Sequence, residues 1–237
     1  MAEPTHEVYG DESVFNNAVV YGVVVVPISS TPKLEVSISS LKEKNGIQGN
    51  TDIHCKQMFH QSAKQKTGWA QLGDQEIEKL FSDIVIESKR LGSFYQIGFI
   101  DKRQWPKILP ADDKFPETPL DDKHLCGFAF QGAIAPLESS VGIPNIRLFV
   151  DYDHTKIPWF GKQRQAYRNY RGWSGISKQW IEPEPKPETK PILLELADIV
   201  AYVSTHALCV QEYASKPMFE RLYQVIGPRR NIFNPKV

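Results

Sequence analysis

The sequence predicts an α/β or α+β domain built on a mixed sheet, and three observations carry that prediction. A β-hairpin opens the chain, in "HEVYGDESVFNNAVVYGVVVV". Strand-like runs then alternate with helical ones. The most apolar helix comes late, in "ILLELADIVAYVSTHALCVQEYA". With 237 residues the chain is expected to form a single domain, 1–237, with a proline-rich connector at 183–191 and a basic C-terminal tail.

The elements follow in order. His6 to Gly10 and the β-branched run Ala18 to Val26 are the hairpin strands, with Asp11-Glu12-Ser13 and Asn16-Asn17 supplying turn chemistry between them. Lys33 to Asn45 reads as an amphipathic helix closed by Gly46. Gln75 to Leu91 is a stronger one: Ile77, Leu80, Phe81, Ile84, Val85 and Leu91 share a face, Asp74 is the expected N-cap, and Gly92 ends it. Phe94 to Ile100 reads as a buried strand, and "PADDKFPETPLDDKH" as a loop. His124 to Val141 reads as a helix that Pro136 bends or breaks, and Asn145 to Val150 as a strand. "EPEPKPETKP" is an extended connector before the apolar helix, and "MFERLYQVIGPRRNIFNPKV" adds a short helix and the basic tail.

Composition narrows the classes. Hydrophobic residues make up 41% and charged residues 24%, and Lys+Arg and Asp+Glu both number 28, so nucleic-acid binding has to come from a local patch. Three scattered cysteines, Cys55, Cys126 and Cys209, fit a reducing cytoplasm and no disulfide framework. The start of the chain lacks a basic n-region and an apolar h-region, and "NAVVYGVVVVPI" is too short for a membrane helix. The expectation is a cytoplasmic protein with no membrane partner.

Chemistry gathers at the acids. Asp11, Asp101 and Asp151 each follow a strand-like run, and Asp198 interrupts the apolar helix. Each has an ordinary reading as well: a turn residue for Asp11, a loop start for Asp151, an exposed helical acid for Asp198. For Asp101 the neighbouring Lys102 and Arg103 favour a salt-bridged loop entry. A buried Asp198 needs a base, backbone donors or a metal ion, because an unpaired carboxylate in the core costs several kcal/mol. Glu195 shares its face and is a candidate second ligand or hydrogen-bond partner. In "DIHCKQMFH" the spacing of Asp52, His54, Cys55 and His60 does not suit structural zinc, and no triad supports Cys55 as a nucleophile. An acid beside a histidine suits a magnesium site, with His54 moving protons or touching phosphate. Magnesium takes hard oxygen ligands from a few carboxylates, and two such ions can cleave a phosphodiester. Lys162, Arg164, Arg168 and Arg171, interleaved with rings between Trp159 and Trp180, are candidate phosphate contacts; a solvated helix with buried aromatics is the alternative.

"YGDES", "DIHCKQ", "RLFVDYD" and "PILLELADIVAYV", in that order, resemble the landmarks of the DUF 3800 family, a domain of unknown function with a ribonuclease-H-like fold. The resemblance spans about Val8 to His206, and its helix motif is the most specific part. It implies a ribonuclease-H-like mixed sheet flanked by helices, with Asp11, Asp52, Asp151 and Asp198 at the acidic, metal-holding positions and His54 at a Lys/His position. "FIDK" resembles a further family feature around Asp101. Val14 stands where glycine is common, Asp52 where glutamate is, and Glu195 where glutamine is.

Together these readings lead to a Mg2+- or Mn2+-dependent nuclease, with Asp11, Asp52, Asp151 and Asp198 as ligands and His54 assisting proton transfer. The departures motivate an alternative, a catalytically inactive binding module of a defence or mobile-element system. A phosphohydrolase of small nucleotides is a third.

Overall fold

A computed structural model describes residues 3–109, 118–139, 142–143, 146–150, 190–209 and 217–232. Seven strands and seven α-helices are described: β1 (His6–Phe15), β2 (Ala18–Pro27), α1 (Thr31–Lys44), α2 (Cys55–Phe59), α3 (Gln61–Lys64), α4 (Asp74–Arg90), β3 (Phe94–Asp101), β4 (Ile108–Leu109), β5 (Thr118–Pro119), α5 (Asp122–Ser139), β6 (Ile146–Val150), α6 (Leu193–Leu208), α7 (Pro217–Ile226) and β7 (Arg229–Ile232). Five of the strands form one mixed sheet in the order β6-β1-β2-β3-β7, and β4 pairs with β5. The neighbours β1-β2 and β2-β3 run antiparallel, whereas β6 on β1 and β7 on β3 run parallel. The architecture is therefore α/β, with helices on both faces.

The central strand β2 explains its own composition. Val19, Tyr21, Val23 and Val25 face one apolar layer with α5, while Ala18, Val20, Val24 and Val26 face the other with α1, α4, α6 and α7. A strand buried on both faces reads as a continuous apolar run. Helices come close on both sides where side chains vanish. A Cβ on Gly22 would meet the Ala201 backbone nitrogen of α6 at 2.7 Å, and one on Gly98 would collide with the Ala129 carbonyl of α5. Gly22→Ala is expected to cost about 1–3 kcal/mol through this overpacking. In a domain of this size that lowers the thermal midpoint by roughly 2–12 °C, measurable by circular dichroism.

Three expectations change. Gly73, not Asp74, caps α4, which begins at Asp74. The first strand does not end at Gly10: it continues through Asp11 and Glu12 to Phe15, and Asn16-Asn17 alone make the turn, with Asn16 at φ +50°. A two-residue turn needs such a left-handed residue, which asparagine tolerates. Asp11 therefore pairs with Gly22 inside the sheet and is not a turn residue. The basic tail, in turn, begins as a strand, β7, whose Arg229 and Arg230 lie over the rings of Phe94 and Phe99 at 4.8 and 4.7 Å. Charged side chains along a short edge strand also guard it against adding further strands. Pro136 sits inside α5 without ending it. Among the described residues no helix is long and apolar enough to cross a membrane. Residues 183–189 of the proline-rich connector lie outside the described residues.

Candidate functional site

Helix α6 starts after Pro191 and buries Leu193 through Ala201 without interruption, Asp198 included at 6% exposure. It lies flat on the sheet because Gly22 admits its backbone at Ala201. Asp198 is one helical turn before Ala201, and Gly22 is the cross-strand partner of Asp11. The same close approach thus brings Asp198 to Asp11, and both line one end of a cleft of about 520 Å³. Its other walls come from Glu12, Ser13, Val14 and Phe15 of β1, from His54, Lys56, Phe59 and His60, and from Tyr202 and His206 of α6.

The two acids sit differently. Asp198 accepts the Cys55 backbone N–H at 2.8 Å, and Nδ1 of the half-exposed His54 is 3.4 Å from the same oxygen. Asp11 accepts the neighbouring Glu12 N–H at 2.9 Å. Burial, then the charges of Asp198 and Glu12, push the Asp11 carboxyl well above the usual aspartate range, while the Glu12 N–H and Lys190 oppose the rise. Like charges forced together give this response. The buried Cys55 thiol is pushed up as well, by burial and then by Asp198 and Asp11, so it stays protonated and is no nucleophile.

Of the expected residues, Asp11, His54 and Asp198 meet. Asp52 does not line the cleft: its side chain is exposed, and its carbonyl accepts the Trp69 indole N–H at 2.9 Å. From this segment it is the Cys55 backbone N–H and the His54 ring that reach Asp198. Asp151, Lys162, Arg164, Arg168 and Arg171 lie outside the described residues. Among the described residues no group of three or more His, Cys, Asp and Glu side chains is arranged to hold a metal ion. Asp11 and Asp198 are a pair of hard oxygen donors, and a third donor would have to join them.

Glu195 is not directed at Asp198. It forms a buried ion pair with Lys42 of α1 at 2.5 Å, both side chains being almost wholly inaccessible. Burial raises its carboxyl and Lys42 pulls it back, leaving it at about 7. Lys42 also donates to the Thr51 carbonyl at 2.8 Å, so the pair fastens the segment leading to His54 onto α6. Asp101 is the salt-bridged loop entry expected of it. Arg103 grips it at 2.6 Å and Asn17 donates to it at 3.1 Å, and together they hold it down at about 2.

The residues that escaped the sequence reading are aromatic. Phe59 stacks on Tyr202 at 5.5 Å, Tyr202 on His206 at 4.1 Å, and His206 on Phe15 at 4.3 Å. The available signal was the spacing of Asp198, Tyr202 and His206, each four residues after the last and so along one helix face. Comparison with protein-family models, curated proteins and solved structures returns no match.

Proposed function

We propose that this chain is a divalent-cation-dependent phosphodiesterase acting on nucleic acid, with the ribonuclease-H-like core that the DUF 3800 resemblance implies. One observation carries the reading. Two acids from distant parts of the chain meet in a cleft where burial, and then the charges of Asp198 and Glu12, make the Asp11 charge costly and hold its carboxyl high. A hard cation between them removes that cost. The five-stranded mixed sheet with helices on both faces agrees with the implied core in class. The parallel register adds support: Gly10, the residue before Asp11, pairs with Val150, the last residue of β6.

Asp11 and Asp198 would hold Mg2+ or Mn2+, with Asp151 as third donor. When bound, the ion would lower the pKa of its water and polarise the phosphate. The chain's own residues do the rest. The Cys55 N–H and His54 orient the Asp198 carboxylate, and Lys56, which also lines the cleft, supplies positive charge to phosphate oxygens. The outward placement of Asp52 favours the second reading, an inactive binding module, because it leaves the cleft one expected acid short.

The test is cleavage of labelled single- and double-stranded DNA and RNA in Mg2+, Mn2+ or chelator. Metal-dependent cleavage is expected, and Asp11→Asn and Asp198→Asn should each abolish it. Cleavage that survives both substitutions overturns the reading. Hydrolysis of nucleotides alone would point to the small-nucleotide enzyme, and a flat response to millimolar Mn2+ to the module.

A further inference from the structure

His206 has three of its approaches taken. Phe15 and Tyr202 stack on its ring at 4.3 and 4.1 Å, and two rings that close must cover opposite faces. Phe219 tilts against it at 4.8 Å. Its Nδ1 lies 3.0 Å from the Tyr202 carbonyl oxygen. A carbonyl only accepts, so Nδ1 carries the proton; burial lowers the pKa of the ring and favours its neutral form, in which Nε2 keeps its lone pair. Nothing among the described residues bonds to Nε2, yet the ring is only partly buried and lines the cleft. The edge left open to the cleft is therefore a hydrogen-bond acceptor of fixed orientation.

Its distance from the acids decides what that acceptor meets. At about 1.5 Å of rise per residue, Asp198 and His206 stand about 12 Å apart along α6. Metal–oxygen bonds of about 2 Å rule out a shared ion. Resting on the nucleic-acid reading above, we infer that His206 is a substrate-positioning residue: Nε2 accepts a hydrogen bond from a sugar hydroxyl or base amino group of a nucleotide next to the one held at Asp11 and Asp198.

The test reads binding, not cleavage. Fluorescein-labelled single-stranded twelve-nucleotide RNA and DNA of one sequence are titrated with the full chain in Mg2+, and anisotropy is recorded on probe verified intact. His206→Phe keeps the ring stack and loses Nε2. It should weaken binding about 2- to 12-fold, the worth of one hydrogen bond, with the thermal midpoint held. His206→Gln, whose carbonyl can accept, should recover part of the loss. A loss confined to RNA identifies the ribose hydroxyl as donor, and an equal loss on DNA the base amino group. Nitrogen-15 NMR of the unaltered chain should find His206 protonated at Nδ1, with its Nε2 resonance moving when the oligonucleotide is added. Protonation at Nε2, unweakened binding by His206→Phe, or no binding of either oligonucleotide overturns the inference. If the acid substitutions abolish cleavage while His206→Phe binds normally, the nuclease reading stands and this one falls. Binding that depends on His206 without metal-dependent cleavage gives the reverse.

Discussion

Lys42→Met should lower the thermal midpoint by about 6–20 °C. Removing one partner of a buried ion pair costs about 3–5 kcal/mol, because the other charge is left in the core. In a domain of 150–250 residues each kcal/mol is worth about 2–4 °C. Among the described residues Glu195 then keeps the Ile53 N–H to support its charge, and the Thr51 carbonyl loses the Lys42 donor. The loss depends on pH, and its sign is fixed by the direction of the Glu195 shift. A carboxyl held at about 7 in the fold and near 4.5 when unfolded contributes stability that is present below pH 4.5 and lost as pH rises through 7. Without Lys42 the folded value climbs further, so the deficit of Lys42→Met against the unaltered chain widens above pH 7 and narrows in acid. Lys42→Met/Glu195→Leu, which buries no charge, should regain more than half of the loss. Equal midpoints for the single and double variants would show that the Glu195 left without Lys42 carries no penalty. Because the Lys42 contacts fasten the segment before Cys55, the single variant should also loosen the N–H that holds Asp198.

That ion pair also shows where a sequence stops being readable. Lys42 lies in an amphipathic helix and Glu195 in an apolar one, and nothing local announces that they meet. Asp198 could be read because an acid amid leucine, isoleucine and valine is an anomaly of composition. Tyr202 and His206, on the same stripe, were not anomalous, since rings in an apolar helix pass for core. Asp52 was chosen over Cys55 for a related reason: side chains carry a signature, whereas the backbone N–H that reaches Asp198 has none. In the sheet, β2 was legible because burial on both faces leaves a continuous apolar run. The end of β1 was misjudged because Asp11-Glu12-Ser13 has turn chemistry as good as that of Asn16-Asn17. Hydrogen bonding across to β2, with Asp11 opposite Gly22, overrode it. β7 reads as a tail because four residues with two arginines show no alternation; its pairing with β3 comes from the tertiary fold alone.

Asp11→Asn should be more stable than the unaltered chain in chelator and less stable in Mn2+. The first half follows from the raised Asp11 carboxyl. Its stability contribution is complete below about pH 3.8 and drains away as pH rises toward the elevated folded value, so at neutral pH the carboxyl is a burden on the fold. Asparagine keeps the acceptor for the Glu12 N–H and carries no charge to repel Asp198. Relieving a strained site of this kind is commonly worth about 1 kcal/mol, hence about 2–4 °C at pH 7, and the advantage should fade as pH falls toward 4. The second half follows from mass action. An ion at a hundredfold its dissociation constant stabilises the fold that binds it by about 2.7 kcal/mol, roughly 5–11 °C here. The variant forgoes most of that gain, so the two melting curves should exchange order when Mn2+ replaces chelator. A variant already less stable in chelator at neutral pH would mean that the Asp11 charge is balanced within the fold, and an equal Mn2+ shift for both chains would place the ion elsewhere. Either result removes the reason for putting a cation between Asp11 and Asp198.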